Sequence, residues 1–244
     1  MERLEWRLGE IVETVSLTPR AKALILDVPG WHGHRPGQHV DVRLTAEDGY
    51  QTQRSYSIGT PANGQRVEIA VEEIEDGEVS PYLVEELRVG DQLELRGPIG
   101  GYFTWTVEQG GPVVLVAGGS GVVPLMAMIR HRAVERSQVP MRLLYSVRSA
   151  VDIFYRDELE RLASDDEHLE IVYTLTRLQP PDWTGYRRRI DAEILAELAW
   201  PPAEKPFIYV CGPTGLVETV STILVEQGHD PARVKTERFG PSGG

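Results

Sequence analysis

The sequence predicts an N-terminal antiparallel β-barrel followed by a C-terminal α/β domain built on a parallel sheet. Three observations carry this expectation. Up to Phe103 the chain holds short β-branched or alternating apolar runs, punctuated by turn clusters such as Pro29-Gly30 and Asn63-Gly64. Beyond Phe103, continuous apolar runs alternate with helix-period segments, the signature of βα units. The composition over 244 residues, 41% hydrophobic and 25% charged, is that of a globular chain long enough for one large or two moderate domains.

The barrel strands are expected at Leu8 to Val15, Ala21 to Val28, Gln38 to Leu44, Thr52 to Ile58 and Arg66 to Ile74. One helix, Tyr82 to Leu87, interrupts them, with Ser80 as N-cap and Pro81 at its first position. In the second part, strands fall at Val113 to Ala117, Arg142 to Val147, Leu169 to Thr174, Phe207 to Val210 and Arg233 to Thr236. Helices fall near Val123 to Glu135, Ile153 to Leu162, Ala192 to Leu198 and Leu216 to Glu226. The two parts meet near residues 104 to 111, giving domains of 1–105 and 106–244.

Charge and cysteine usage exclude several classes. With 25 basic and 37 acidic residues the net charge is -12, which argues against nucleic-acid binding. A single cysteine, Cys211, cannot form an internal disulfide, a four-cysteine zinc site or an iron–sulfur cluster, so the cytoplasm is the expected compartment. The N-terminus, MERLEWRLGE, lacks the apolar core of a signal peptide. The longest apolar stretch, Val113 to Ile129, is broken by Gly118, Gly119, Ser120, Gly121 and Pro124, and no membrane insertion is expected.

That same stretch carries chemistry. A strand, a glycine turn and a helix start present backbone N–H groups to an anion, so the segment points to phosphate binding; a ligand-free tight turn is the plain alternative. It is not the usual G-x-G-x-x-G, because Pro124 stands at the third glycine, and no Lys-Ser/Thr follows to make a P-loop. At the end of the next strand, Ser146, Arg148 and Ser149 suit a 2′-phosphate, which favours NADPH over NADH, whereas Asp152 nearby argues for NADH. Arg177 joins the same cofactor set. In the barrel, Arg54-Ser55-Tyr56-Ser57 lies on a strand that turns Arg54 and Tyr56 to one face. An arginine can pair with phosphate and an aromatic ring offers a flat surface to a flavin, although an ordinary exposed strand face has the same composition.

Arg54-Ser55-Tyr56-Ser57, Gly97 to Phe103, Gly118 to Pro124 and Cys211-Gly212-Pro213 together resemble, in this order, the ferredoxin–NADP reductase family of flavoproteins. The resemblance covers nearly the whole chain. It implies a flavin-binding barrel, with FAD expected and FMN the alternative, followed by a nicotinamide-nucleotide domain. It further implies that Arg54 pairs with the flavin's phosphate, Tyr56 packs on the ring and Ser57 hydrogen-bonds near N5. Gly77-Glu78-Val79-Ser80 resembles the family's second phosphate contact. Gly118, Gly119, Ser120, Gly121 and Pro124 would hold the nucleotide pyrophosphate, and Cys211, Gly212 and Pro213 would border the nicotinamide. Glu237-Arg238-Phe239 resembles the closing segment, in which an aromatic ring covers the second flavin face; here Gly240 to Gly244 follow it.

The catalytic set implied is Ser57, Cys211, Glu237 and Phe239. Glu237 either orients the nicotinamide or relays a proton, or else forms an exposed ion pair with Arg238 or Lys235. Cys211 ends an apolar strand with no histidine in its local sequence, so it is expected to shape the pocket rather than act as a nucleophile. His32, His34 and His39 lie in a turn-rich loop, and no metal is expected. Arg187-Arg188-Arg189 reads as a solvated loop, or as a cationic patch that helps hold the NADPH phosphate or steers a partner. The expected reaction passes hydride from nicotinamide to flavin and then electrons to a separate iron–sulfur, haem or other redox protein. The alternatives are a stand-alone flavin or quinone reductase with a small acceptor, and a non-catalytic cofactor-binding subunit.

Overall fold

The computed structural model describes residues 4–46, 48–75 and 77–240. Its first sheet contains β1 (Trp6–Thr18), β2 (Ala21–Asp27), β3 (His39–Thr45), β4 (Gln51–Ser57), β5 (Arg66–Glu72) and β6 (Gln92–Ile99). All pairings are antiparallel, in the order β4-β3-β6-β1-β2-β5. The two end strands curl round to meet. Ile58 bridges Ile69, and the Gly59 amide donates to the Glu68 carbonyl at 2.9 Å, closing the barrel.

Alternation fills the interior with Leu24, Leu26, Val40, Val42, Leu93 and Leu95, capped by Trp31. Strand β6 lies outside the five runs picked out by pattern, because Gly97-Pro98 breaks its alternation just past Leu95. The short helix also differs from expectation. It is a single π-type turn, Tyr82–Glu86, and Ser80 does not cap it. The Ser80 hydroxyl instead accepts from the Ile74 amide at 2.9 Å, fixing the loop that precedes the turn.

The second sheet runs β7 (Val113–Gly118), β8 (Met141–Ser149), β9 (Leu169–Leu178), β10 (Phe207–Pro213) and β11 (Val234–Phe239), interleaved with α1 (Val122–Val134), α2 (Arg156–Ser164), α3 (Ala192–Leu198) and α4 (Thr214–Glu226). Its strands are parallel, in the order β11-β10-β7-β8-β9. Every residue of β7 is buried, which is why its run is continuously apolar rather than alternating. After β7 the chain moves outward to β8 and β9, then returns to the other side of β7 as β10. The crevice beyond the carboxyl ends of β7 and β10 is therefore the switch point at which open α/β sheets receive ligands. Helix α2 starts at Arg156 rather than Ile153, because Ile153 and Phe154 are buried ahead of it and Tyr155 takes a left-handed φ of 57°.

The barrel and the parallel sheet share an apolar seam. Ala21 and Ala70 of the barrel join Phe103, Trp105, Val122, Val123 and Met126 in one buried cluster. The Tyr209 hydroxyl ties β10 to the connecting segment by donating to the Thr104 carbonyl at 2.9 Å. Among the described residues, no helix is long and apolar enough to cross a membrane.

Candidate functional site

At the switch point the glycines divide into two kinds. A Cβ on Gly121 would lie 2.3 Å from the Cys211 carbonyl oxygen, and one on Gly118 would lie 2.8 Å from Leu216. These glycines let the turn after β7 press against β10. Gly119 has a φ of +54° and open space around its missing Cβ, so it faces outward. Helix α1 then begins with no side-chain cap and no acidic residue in its first turn. The tight turn Gly119–Gly121 runs into α1 and takes up the Val122 N–H, so the N–H groups of the turn itself and the positive end of the helix dipole are what an anion meets. Pro124, buried in that first turn, lacks an N–H where the helix needs none.

The ends of β10 and β11 form the opposite wall, with Cys211, Gly212 and Pro213 in register with Glu237, Arg238 and Phe239. Cys211 is buried; burial, and secondarily the Glu237 charge, pushes its thiol well up, so it is no nucleophile. Burial raises the Glu237 carboxyl to about 7. The ion-pair alternative for Glu237 is not realised: Arg238 pairs with Glu218 at 2.7 Å, and Lys235 points to the Thr104 carbonyl at 3.5 Å. Phe239 packs, partly buried, against the seam cluster.

Strand β4 presents Arg54, Ser55, Tyr56 and Ser57. Arg54 is half exposed, its guanidinium 3.9 Å from Glu78, so the tetrapeptide and Gly77-Glu78-Val79-Ser80 do converge. Tyr56 packs against the barrel core, and burial pushes its phenol up to about 12 against the opposing effect of Arg54. The Ser55 hydroxyl is committed within the protein, donating at 2.7 Å to Asp41, which also takes the Arg96 guanidinium at 2.7 Å. Ser57 ends the strand half-buried. Two residues on, Gly59 approaches α1, where a Cβ on it would lie 3.5 Å from Val123.

At the far side of the crevice, Ser146 pairs in register with Gly118 and is buried. Arg148 and Arg177 are exposed at the ends of β8 and β9, and the ion pairs among the described residues involve neither. One oxygen of Asp152, Oδ2, accepts from the Ser149 amide at 3.0 Å and from its hydroxyl at 2.7 Å. The arginine triplet is mostly tied down in its own loop. Arg188 pairs with Asp191 at 2.9 Å and with Glu193, and Arg187 donates to the Trp183 carbonyl at 2.7 Å. In the histidine-bearing loop, His34 accepts from the Trp31 indole at 3.1 Å and bonds the Thr60 carbonyl at 2.8 Å.

Sequence reasoning missed a charge cluster where the barrel meets α1. Arg130 donates at 2.8 Å to both the Gly59 carbonyl and Glu68 Oε1. It also holds Glu158 of α2 through two bonds of 2.9 and 2.7 Å. The Tyr155 hydroxyl donates to the same Glu68 oxygen at 2.9 Å, with the Arg130 guanidinium 4.8 Å over its ring. The only local hint was Glu68 itself, a carboxylate inside the apolar run Arg66 to Ile74.

The donor set fits two nucleotide-bearing groups. Arg54 and the Gly77–Ser80 loop suit one phosphate, while the uncapped α1 start with outward Gly119 suits another. Residues 9–104 match the family model for an oxidoreductase FAD-binding domain, and residues 115–222 match that for an oxidoreductase NAD-binding domain. The chain is 33% identical over 226 residues to the glycine betaine monooxygenase reductase subunit of Pseudomonas aeruginosa, covering 91% of this chain and 61% of that one. It is 31% identical over 205 residues to NADH-cytochrome b5 reductase 1 of Aspergillus terreus, covering 81% and 68%. Its structure is similar to the flavohem-like FAD/NAD binding domain of nitric oxide dioxygenase from Vibrio cholerae, with a TM-score of 0.85, 27% identity and coverage of 96% and 99%. The chain spans about 60% of the length of the glycine betaine monooxygenase reductase subunits it matches.

Proposed function

The chain belongs to the ferredoxin–NADP reductase-like family of NAD(P)H-dependent flavoprotein reductases, and from that premise we propose that it holds FAD, oxidises NADPH and delivers the electrons to a separate redox protein. Bound FAD supplies the redox chemistry, accepting two electrons together from reduced nicotinamide and releasing them singly. In this reading residues 1–105 hold the flavin and 106–244 the nucleotide.

The remaining work falls to this chain's own groups. Arg54 neutralises the flavin phosphate, with the backbone of Val79 and Ser80 as a second contact and Gly77 shaping the loop, its N–H donated to the Ile74 carbonyl at 2.8 Å. Tyr56 and Phe239 would hold the flavin ring between them, and Ser57 would offer it a hydrogen bond. Ser55 keeps β4 in place through Asp41 rather than offering its hydroxyl to the cofactor. Gly118, Gly119, Ser120 and Gly121 lead the nucleotide pyrophosphate to the α1 N-terminus, ahead of Pro124. Ser146, Arg148 and Arg177 take the 2′-phosphate, a role favoured by the exposure of both arginines, which no ion pair among the described residues engages, and by one Asp152 oxygen being taken up by Ser149. Cys211, Gly212 and Pro213 wall the nicotinamide. With its carboxyl raised to about 7, Glu237 holds a proton for much of the time at neutrality, so it can donate as well as accept a hydrogen bond there.

The observation that carries this reading is the uncapped α1 start at the switch point, brought by Gly59 against the end of the strand that bears Arg54, Tyr56 and Ser57. A separate acceptor protein is supported by the relatives' names, which include reductase subunits and components of oxygenase systems. Stopped-flow mixing of the flavin-loaded protein with NADPH and with NADH tests the reading: the yellow colour should bleach, faster with NADPH at low concentration, and return on adding an iron–sulfur or haem protein. No bleaching with either nucleotide would overturn it. Arg148→Ala should weaken NADPH binding about tenfold, as for a charge-assisted bond, while leaving NADH nearly unchanged. Equal losses for both would remove the 2′-phosphate from that site.

A further inference from the structure

We propose that Arg130, Glu68 and Tyr155 are positioning residues that set the angle between the barrel and the nucleotide domain, and through it the approach of the nicotinamide to the flavin; this rests on the function proposed above. Around this cluster the seam is built mainly from apolar Ala21, Ala70, Val122, Val123 and their neighbours, with neutral polar ties to the connecting segment, chiefly the Tyr209 hydroxyl to the Thr104 carbonyl at 2.9 Å. Apolar burial is non-directional, so such a seam holds the two parts together without by itself defining one angle sharply. The charge cluster does define one. Arg130 Nη1 must meet both the Gly59 carbonyl and Glu68 Oε1 at 2.8 Å, and Tyr155 must meet that same oxygen at 2.9 Å. These bonds are short, partly charge-assisted and sharply dependent on angle.

Their placement links the end of the flavin strand directly to the helix that follows β7. Gly59 stands two residues beyond Ser57, at the end of the flavin strand. Arg130 lies on α1, whose first turn holds the nucleotide pyrophosphate in the proposed function, about 12 Å or eight residues along the helix axis. Glu158 and Tyr155 anchor the cluster to α2, so α1 and α2 turn as one body against the barrel. Gly59 leaves room for this junction: a Cβ there would lie 2.7 Å from Glu68 Oε1 and 3.0 Å from the Tyr155 hydroxyl, pushing both side chains out of their present bonds. The cluster touches neither predicted cofactor site, so it acts on the reaction only through geometry.

The test uses the flavin-loaded full chain and two mild variants, Glu68→Gln and Tyr155→Phe, each removing charge or one bond without emptying the seam. Spin labels on Val89→Cys in the barrel and Val225→Cys in α4, both exposed positions, report the distance between the two parts independently of turnover. The expected result is a narrow distance distribution in the parent protein and a broadened one in the variants. At saturating nucleotide the rate of flavin bleaching should fall tenfold or more, while FAD content and the nucleotide Kd stay within twofold. A distribution that remains narrow overturns the proposal. So does a broadened one with an unchanged bleaching rate, or a loss confined to FAD or nucleotide affinity. If the parent protein itself does not bleach, the proposed function fails, and the distance measurement still decides whether the cluster sets the angle.

Discussion

Glu237 shows how one side chain's surroundings set its behaviour. Its ordinary value of 4.5 rises to about 7 because burial disfavours the charged form, and neither neighbouring cation compensates it. The folded protein therefore binds that proton more tightly than the unfolded chain. The associated stability is fully present below the ordinary carboxylate range and is lost as pH rises through about 7. Allowing for its partial exposure, the effect is of the order of 1–2 kcal/mol. Thermal melts between pH 5 and pH 8 should show a smaller fall for Glu237→Gln than for the parent, and identical slopes would show that the carboxyl ionises normally. Arg54 is the contrasting case, half exposed and weakly paired. Arg54→Ala should raise the FAD dissociation constant about tenfold, read by ultrafiltration of the released flavin; an unchanged constant would take it out of the site. Both residues were legible in the sequence, since each sits in a short local motif. Arg130 and Glu68 were not, because 62 residues separate them and each by itself resembles a solvated charge on an amphipathic element.

Among the elements, the turn from β7 into α1 depends closely on its residue types. Gly121→Ala would drive a methyl group into the Cys211 carbonyl backbone, which has no side-chain freedom with which to give way. Gly119→Ala meets open space and costs only the left-handed conformation, about 1–2 kcal/mol. Titration with NADPH should therefore find Gly121→Ala both less stable and at least tenfold weaker in binding, with Gly119→Ala the milder variant; the reverse order would contradict the packing seen here. The buried strand β7 was readable from five consecutive apolar residues, and α3 from a helical pattern that ended where the helix does. Strand β6 was not picked out because Gly97-Pro98 hid a two-residue alternation. The start of α2 was misplaced because Ile153, Phe154 and Tyr155 are apolar for reasons of burial in a loop, which periodicity cannot distinguish from a helix face.

For the whole molecule, the apolar cluster that runs from Ala70 through Val123 to Tyr145 and Tyr209 makes the two parts share a core. Differential scanning calorimetry should record one cooperative transition rather than two; resolved peaks would mean that the parts melt independently. The barrel-then-α/β order was legible because strand punctuation and βα alternation differ along the chain. The angle between the two parts was not, since it is written in contacts between distant segments. One feature of the barrel extends this interdependence. Its final seal is the meeting of Ile58 with Ile69 and of Gly59 with Glu68, the same place that Arg130 grips from outside. A dissected first half would thus keep the backbone contacts of its closing zipper but lose the guanidinium that braces them, leaving the Glu68 carboxylate with the seam uncovered around it.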